Sequence, residues 1–489
     1  MSVSEKSKGR VMLIYPPGKL YQRSEDRAQC NIEESAVTTV RACNDLGYAA
    51  AVLRNGGYSV FLRDYQTEGA SDGDVLSDIK SFKPDLVFMS ITNATVIDDI
   101  DFIRRMKKLY PFKAALKGAI FYDTDYALLK ELDLSAIDYL IGGEEEFIIK
   151  PLCDFALCGE GKIEEIDGIF FKNAGGDFVK TRFGCWNSDL DSLPFPARDL
   201  MNNALYTRPD TNELLATISV SRGCPSGCTY CLTPIISGRK LRIRSVDNVF
   251  AEMEECYYKY NIRNFFFRAD TFTYYNEWVD ELCDRIISSE LFGKIEFTGN
   301  TRVDTVTPQL LEKMKKAGCF MLVVGFESGS DVTLKRIGKG TSVEKNLAAA
   351  KMIKESKIPF CGCFMIGFPW ETEEDMKQTL DMMFLINPDF MEIHIAMPYY
   401  STKLYDDCIK YKTISSSAFG CDYFSPNTTG TQSVPIEKVI ELKKKYNLKF
   451  YLRPNYIAGK TLQSIKHPEI LLSYFRHGIK LLRKNIYKL

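Results

Sequence analysis

Short apolar runs alternate with amphipathic stretches along the first third of the chain. Each apolar run is rich in β-branched or aromatic residues and ends at a polar or glycine-containing turn, which predicts a buried strand. The stretches between the runs repeat apolar residues at helical spacing, as Leu46, Ala50 and Leu53 do. The predicted strands are 11–15, 58–64, 86–91, 115–121 and 139–141, and the predicted helices are 35–55, 74–82, 98–108 and 125–132. This alternation indicates a parallel, doubly wound α/β sheet, which binds ligands at the carboxyl ends of its strands.

A second alternation of strands and helices follows an irregular acidic segment at 189–200, which contains two prolines. About six strand-helix units after residue 206 predict a partial TIM-type (β/α)6 barrel, whose chemistry lies at the carboxyl ends of the strands. The expected organisation is a polar tail at 1–10, a Rossmann-like domain at 11–155, a linker at 156–205, a barrel at 206–420 and a C-terminal helical extension at 421–489.

The composition narrows the class of protein. Apolar residues make up 45% of the 489 residues, charged residues 26%, and the net charge is −1, so nothing in the balance calls for nucleic acid. No apolar run approaches the length of a membrane span, and residues 1–10 do not look like a secretory signal. Fifteen cysteines without disulfide-like spacing indicate a reducing compartment, so we expect a cytoplasmic protein. The basic stretch 477–489 predicts an amphipathic helix that either packs on the core or contacts a membrane surface.

Three cysteines in one short loop carry the strongest chemical signal. Three residues separate Cys224 from Cys228, two separate Cys228 from Cys231, and no fourth cysteine or histidine follows nearby. Three soft thiolates suit an iron-sulfur cluster, and a four-iron cluster held by three cysteines keeps one iron open. A structural zinc site is the alternative, but it needs a fourth protein ligand, and the next cysteine, Cys256, stands alone in a helical pattern.

This loop resembles that of the radical S-adenosylmethionine (SAM) superfamily. The resemblance covers about residues 11–455 and is closest to members with a cobalamin-binding first domain, such as hopanoid-biosynthesis proteins and anaerobic porphyrin-ester cyclases. The segments that carry it are 221–225, 231–234, 244–245, 265–273, 301–304 and 450–454, with 57–60, 83–87 and 142–146 in the first domain.

The resemblance implies a SAM site around the cysteine loop. Tyr230 is expected to pack against the adenine, and one of Lys335 and Arg336 to pair with the methionine carboxylate. Other contacts are expected at three strand tips of the barrel, namely Gly325, Glu327, Ser328 and Gly329 on one strand, Gly367 on the next and Pro398 on the sixth.

The resemblance also implies cobalamin contacts at Ser90, Thr92, Gly118 and Gly142, for which ordinary turn chemistry is the alternative. The three histidines are His394, His467 and His477. None of them lies in the first domain, so a cobalamin there would have no lower histidine ligand.

Three groups of residues on the predicted barrel strands have either a functional or a structural role. Arg268 either faces an anionic or sugar-like substrate group or is a surface charge. Glu392 and His394 share one face of a strand and either transfer protons or belong to a hydrogen-bonded core. Cys361 and Cys363 also share a face, where they either ligate a second cluster, quench a radical or are buried small residues.

The resemblance therefore implies an enzyme that uses a [4Fe-4S] cluster to cleave SAM to a 5′-deoxyadenosyl radical, which attacks an unactivated C–H bond of a lipid, isoprenoid or sugar-like intermediate. With cobalamin the reaction is expected to be a methylation, and without it a cyclisation or rearrangement. A flavodoxin or ferredoxin is the expected reductant. The alternative is a non-catalytic iron-sulfur scaffold or regulatory protein with a degenerate first domain.

Overall fold

Two parallel sheets form the framework of the protein. The computed structural model describes residues 7–24, 30–35, 40–122, 129–415, 417 and 419–466. The first sheet has seven strands and the second has six, and a two-stranded ribbon lies beside the second sheet. The α/β class expected from the sequence is confirmed.

The first sheet has the strand order β2-β1-β3-β4-β5-β6-β7. Its strands are β1 (Arg10–Tyr15), β2 (Ser59–Asp64), β3 (Leu86–Ser90), β4 (Lys113–Lys117), β5 (Tyr139–Ile141), β6 (Ile169–Lys172) and β7 (Phe178–Lys180). Strands β1 to β5 are parallel, as predicted, whereas β6 and β7 are antiparallel. The hairpin of β6 and β7 falls inside the segment 156–205 that was expected to be a linker, and it extends the first sheet.

Three of the four helices predicted for the first domain have counterparts, which are Asn44–Asn55, Asp72–Phe82 and Val96–Leu109. The helices Tyr65–Glu68 and Glu145–Cys153 were not predicted. The first begins nine residues later than predicted, at Asn44, and residues 36–39 of the predicted helix lie outside the described residues, as do 123–128 of the predicted helix 125–132. The strand predicted for 115–121 ends at Lys117, because Gly118 leads into a 3-10 turn at Ala119–Phe121.

The second sheet follows chain order, β8-β11-β12-β13-β14-β15, and all of its neighbours are parallel. Its strands are β8 (Leu215–Ser219), β11 (Asn264–Arg268), β12 (Glu296–Arg302), β13 (Cys319–Glu327), β14 (Phe360–Ile366) and β15 (Phe390–Ile395), and the ribbon consists of β9 (Ser221–Arg222) and β10 (Arg242–Ile243). A parallel sheet of six strands in chain order is what a partial TIM-type barrel requires, and closure into a barrel stays a prediction.

Helices cover one face of the second sheet. They are Val246–Tyr260, Asn276–Ile287, Pro308–Lys316, Val343–Ser356 and Glu373–Ile386, and two shorter helices, Asp331–Arg336 and Lys403–Tyr411, lie near the cysteine loop. Alternate strand residues such as Phe265, Phe267 and Phe297 pack in this helix-covered core. Their neighbours, such as Phe266 and Arg268, therefore lie on the opposite face, which is the expected inner face of the barrel.

The C-terminal helical region is present as Ile436–Tyr451 and Pro454–Lys466. His467, His477 and the basic stretch 477–489 lie outside the described residues. Within the described part of the chain, no helix is both long enough and apolar enough to span a membrane.

Side chains satisfy the two open edges of the second sheet. On β8, the Thr217 carbonyl accepts hydrogen bonds from Arg198 at 2.8 Å and from Asn44 at 2.6 Å. On β15, the Tyr451 hydroxyl bonds both the N–H and the carbonyl of Met391, at 3.0 and 2.8 Å. An open sheet edge needs such cover because unpaired backbone groups otherwise invite other strands. Residues of the first domain, of the segment at 189–200 and of the C-terminal helix therefore cover backbone groups at both edges of the sheet.

Candidate functional site

The cysteine loop is held at three points by backbone hydrogen bonds. The Cys224 N–H donates to the Gly238 carbonyl at 3.1 Å. The Thr229 N–H donates to the Ile337 carbonyl, and the Thr229 carbonyl accepts from the Leu404 N–H, both at 2.9 Å. Cys224, Cys228 and Cys231 are each half-buried. The loop is thus fixed between three elements while its thiols keep access to a ligand.

A sharp turn at Gly223 begins the loop. Its φ of 90° is in the left-handed region, and a Cβ at this position would lie 2.3 Å from the Lys240 carbonyl oxygen, so only glycine fits. Asp270 accepts a hydrogen bond from the Gly223 N–H at 2.7 Å and another from the Thr233 hydroxyl at 3.0 Å. Asp270 therefore ties the beginning of the loop to the residues that follow Cys231.

Buried carboxylates of the first domain hold the strand that leads into the loop. Arg222, in β9, pairs with Glu146 through two hydrogen bonds, one of them at 3.2 Å, and with Glu144 at 3.2 Å. Arg242, in β10, forms a bidentate pair with Glu144 at 2.7 and 2.8 Å. Burial alone would raise the pKa of Glu146, but the adjacent Arg222 outweighs it, and the pKa of Glu146 is lowered. The pairs keep both charges in a dry interface between the domains.

Positive charge faces the thiols from the second sheet. The Arg302 guanidinium lies 3.9 Å from the Cys228 sulfur and donates to the Lys339 carbonyl at 2.7 Å. Burial raises the pKa of Cys231 to about 11, although the Thr233 N–H, 3.4 Å from its sulfur, opposes this rise. Arg302 also pairs with Asp304 at 2.7 Å, so the group beside the Cys228 sulfur is the guanidinium of an ion pair.

The loop fits a cluster better than a single metal ion. In the described residues, no three His, Cys, Asp or Glu side chains are arranged to hold one ion. In a four-iron cluster each cysteine binds a different iron, so its ligands need not converge on one point. All fifteen cysteines, including these three, are free thiols. The donor set of three soft thiols therefore fits an iron-sulfur cluster.

Four residues meet beside Cys228 at the tip of β13. Glu327 has a φ of 64°, and its carboxylate accepts a hydrogen bond from the Lys339 ammonium at 2.8 Å. A Cβ on Gly325 would lie 2.5 Å from the Glu327 carboxylate and 2.9 Å from the Lys339 ammonium, so glycine makes room for the pair. Burial, with Glu327 and Cys228 nearby, raises the pKa of Tyr230 well above its usual value. The structure thus brings Tyr230, Gly325 and Glu327 together, as predicted for a SAM site.

The neighbouring residues Ser328 and Gly329 support this strand tip from behind. The Ser328 hydroxyl is fully buried and hydrogen-bonded to the Thr379 hydroxyl at 2.9 Å. A Cβ on Gly329 would lie 2.4 Å from the Gln378 carbonyl oxygen. Both residues therefore pack against the helix Glu373–Ile386, and the structure does not place them toward the loop.

Arg336 and Pro398 also lie apart from the group of residues beside Cys228. Arg336 is exposed, stacks 4.3 Å over Trp370 and donates to the Tyr411 hydroxyl. Pro398 lies in the segment after β15, in which Met397 and Tyr399 join the core of the first domain. Arg336 therefore lies on the surface, and the segment that contains Pro398 lies between the domains.

A turn at the end of β14 is organised around one buried carboxyl group. Gly367, with a φ of 86°, donates its N–H to Glu371 at 2.8 Å, and Phe368 donates its own at 3.0 Å. The Thr333 hydroxyl donates to the same side chain at 3.2 Å. This turn holds Phe368, whose ring centroid lies 6.1 Å from that of Tyr230. Burial without a cationic partner among the described residues raises the pKa of Glu371 to about 8.

The four residues expected to contact cobalamin make internal contacts instead. Ser90 donates to Asp45 at 2.6 Å, and Thr92 is hydrogen-bonded to Thr95 at 2.9 Å, both fully buried. A Cβ would meet Ile91 at 2.8 Å on Gly118 and the Phe121 carbonyl oxygen at 2.1 Å on Gly142. The structure thus gives each of the four residues a packing or turn role in the first domain, and a contact of these residues with cobalamin stays a prediction.

The paired residues of the inner sheet face lie beside first-domain segments. His394 is 3.2 Å from the Glu392 carboxylate, which also accepts a hydrogen bond from Ser35. Burial would raise the pKa of Glu392, but the hydrogen bonds of His394 and Ser35 outweigh it and lower the pKa. On β14, hydrogen bonding to Cys363, followed by burial, raises the pKa of Cys361 well above its usual value. In each pair the two side chains contact each other. This agrees with a structural role for Glu392 with His394 and for Cys361 with Cys363.

Sequence reasoning gave no role to Lys339, Arg302 or Asp270. Lys339 lies in a loop between Gly338 and Gly340, and its pairing with Glu327 depends on a positive φ that a sequence does not reveal. Arg302 and Asp270 end or follow strands β12 and β11, at the carboxyl edge where catalytic residues of such sheets collect. That position was the available signal for both.

Two sequence comparisons agree with this geometry. Residues 218–383 match the profile of the Radical SAM superfamily. The chain is 27% identical over 415 residues to an uncharacterized methyltransferase of Pyrococcus horikoshii, which covers 84% of this chain and 88% of that one. It is 25% identical over 368 residues to the anaerobic magnesium-protoporphyrin IX monomethyl ester cyclase of Rubrivivax gelatinosus, over 74% of this chain and 65% of the cyclase.

Solved structures share the two-domain fold. The cobalamin-dependent radical SAM enzyme OxsB has a TM-score of 0.63 and 19% identity, over 83% of this chain and 56% of its own longer chain. The radical SAM methyltransferase TsrM of Kitasatospora setae, solved with cobalamin and a [4Fe-4S] cluster, has a TM-score of 0.65 and 16% identity, over 83% and 75%. The expected similarity to this superfamily, and the expectation of an enzyme, are confirmed.

Glu371 gives a prediction about stability and pH. Because its folded-state pKa of about 8 lies above the ordinary value of 4.5, the folded protein holds a proton that the unfolded chain has lost between these values. The unfolding free energy should fall as the pH rises from 4.5 to about 8, by up to ~1.4 kcal/mol for each pH unit. Glu371→Gln keeps the hydrogen-bond acceptor and removes the titration, so its stability relative to the native chain should increase over this range.

Urea titrations of both proteins at pH 5, 7 and 9 measure this difference. Glu373→Gln is the matched control, because Glu373 lies two residues away, is half-exposed and pairs with Lys377. A constant difference between the native chain and Glu371→Gln at all three pH values would contradict the buried, protonated state of Glu371.

Proposed function

Since residues 218–383 match the radical SAM superfamily, we propose that this chain cleaves SAM reductively at a [4Fe-4S] cluster held by Cys224, Cys228 and Cys231. The observation that carries the proposal is the position of the thiols, on a loop fixed beside Glu327, Lys339 and Tyr230. When bound, the cluster supplies the electron that breaks the S–C5′ bond of SAM and gives methionine and a 5′-deoxyadenosyl radical.

The residues around the loop bind and orient SAM. The Glu327 carboxylate is suited to accept hydrogen bonds from the ribose hydroxyls, and Lys339 holds it in place at 2.8 Å. Tyr230 and Phe368 provide an aromatic wall against the adenine. The first domain covers the inner face of the second sheet, where Arg41 stacks 3.8 Å over Phe266, and so excludes water from a reactive radical. Positioning of this kind carries much of the catalysis.

The proposed reaction is methylation of an unactivated carbon in a small-molecule substrate. Its support is the methyltransferase relative and the fold shared with two radical SAM enzymes, OxsB and TsrM, that were solved with cobalamin. Lipid, isoprenoid and sugar-like natural products are the proposed substrate classes. We also propose a cytoplasmic location, because all fifteen cysteines are free thiols, and a flavodoxin or ferredoxin as reductant.

Cyclisation or rearrangement is the second candidate reaction, and the likeness to the magnesium-protoporphyrin cyclase favours it. A non-catalytic scaffold has less support, because the cysteine loop and the Glu327 strand tip are both in place.

Product analysis tests the proposed cleavage. The anaerobically reconstituted protein, incubated with SAM and dithionite, should release 5′-deoxyadenosine. Cys228→Ala should abolish this product and lower the iron content, because it removes one of three cluster ligands. Cys185→Ala, at an exposed cysteine outside the loop, should change neither quantity. Absence of 5′-deoxyadenosine from the native protein would leave the scaffold alternative standing.

The absorption spectrum of the protein purified from cobalamin-fed cells separates the two candidate reactions. Methylation predicts a stoichiometric corrinoid that stays bound through gel filtration. Its base-off or base-on form reports the lower ligand, and a histidine ligand is not expected, because the first domain contains no histidine. A corrinoid-free protein that still releases 5′-deoxyadenosine would contradict methylation and favour cyclisation or rearrangement.

A further inference from the structure

One rim of the cysteine loop faces outward. Pro225 and Gly227 are exposed, whereas Thr229 is buried and Tyr230 is directed toward Phe368. If the three cysteines hold a cluster, this exposed rim is the part of the loop from which an outside electron donor would approach their sulfurs.

The three elements tied to the loop surround this rim with positive charge. They contribute the exposed residues Arg239 and Lys240 beside Gly238, Lys335 and Arg336 before Ile337, and Lys403 before Leu404. The Arg239 guanidinium lies 3.9 Å from the position that a Cβ on Gly227 would take. Each charge thus lies within two residues of a backbone hydrogen bond to the loop.

Negative charge is missing from the same segments. The loop at 221–234 and the segments 235–243, 332–340 and 400–405 contain no aspartate or glutamate, although the whole chain has 64 acidic and 63 basic residues. The exposed Asp331 and Asp406 lie immediately outside the last two of these segments. The basic residues among them that are buried, Arg222, Arg242 and Lys339, pair with glutamates from elsewhere. Arg239, Lys240 and Lys403 form no ion pair among the described residues. A local excess of one sign in a nearly neutral chain steers partners of the opposite sign.

The geometry points to this rim, defined by Pro225, Gly227, Arg239, Lys240 and Lys403, as the docking surface for an acidic electron-transfer protein with a reduced flavin or a low-potential iron-sulfur centre. The surface presupposes the cluster of the proposed function. One electron leaves the docked donor, which is oxidised by one electron, and enters this chain, and no atom is exchanged. Redox encounters of this kind are small and weak, so complementary charge rather than buried area sets their rate.

A charge-reversal variant tests the surface. Arg239→Glu, Lys240→Glu and Lys403→Glu are combined in one protein, and the probe is a bacterial flavodoxin with its NADPH-dependent reductase. The matched control combines Arg263→Glu, Lys294→Glu and Lys315→Glu, which make the same change in charge at exposed sites preceding β11, β12 and β13. Circular dichroism and iron content establish that both variants are folded and loaded.

The readouts are the binding of flavodoxin and the release of 5′-deoxyadenosine. Binding of flavodoxin, measured by fluorescence anisotropy, should weaken about tenfold or more in the rim variant, should be unchanged in the control, and should weaken with added salt in the native protein. Release of 5′-deoxyadenosine driven by flavodoxin should fall with the loss of binding, while release driven by dithionite should be equal in all three proteins.

Equal flavodoxin binding by the native protein and the rim variant would overturn the docking surface, and dithionite-driven 5′-deoxyadenosine would still support the proposed function. Absence of that product in the native protein would contradict the proposed function, and the binding measurement would still judge the surface. A short RNA is added as a competitor in the same binding assay. If it displaces flavodoxin at a concentration below the dissociation constant of flavodoxin, the rim is a nucleic-acid surface and the proposal is overturned.

Discussion

Buried carboxylate-guanidinium pairs between the two domains are the constraint on which the rest of the structure depends. Glu144 and Glu146 follow the last parallel strand of the first sheet, and Arg222 and Arg242 belong to the ribbon that flanks the cysteine loop. Removing one partner from such a pair leaves a buried charge uncompensated, at a cost of roughly 3–5 kcal/mol. The first domain therefore fixes the orientation of the strand that delivers Cys224, and the site cannot be considered a property of the second sheet alone.

The same coupling explains why an open parallel sheet of six strands is stable. Six parallel strands leave two edges, and each is covered by side chains from outside the sheet, Arg198 and Asn44 on β8 and Tyr451 on β15. The Arg198 guanidinium is fully buried and pairs with Glu252 at 2.7 Å, which satisfies its charge in the interface. The loop after β8 is partly accessible from the surface, where Pro225 and Gly227 are exposed.

Much of the framework could be predicted because local pattern and global fold agree. The parallel strands are short apolar runs with helices between them, and the cysteine loop is identified by its spacing together with the motifs at the strand ends downstream. The hairpin of β6 and β7 was missed because its strands have four and three residues and lie among turns. Ser90 and Thr92 show a different limit, since a sequence places a hydroxyl at a strand end but not the direction in which it points. Lys339 reaches the site through a contact between distant segments, for which a single sequence has no signal, whereas the position of Arg302 at the carboxyl end of β12 was a signal.

The central claim is that the three-cysteine loop leaves one iron free for SAM beside Glu327. Electron-nuclear double resonance on the reduced, anaerobically reconstituted protein tests it most directly, with SAM carrying ¹⁵N at its amino group and ¹⁷O at its carboxylate. The account predicts hyperfine coupling of both labels to the reduced cluster, lost in Cys228→Ala. A spectrum that shows an intact cluster in the native protein but no coupling to either label would contradict it.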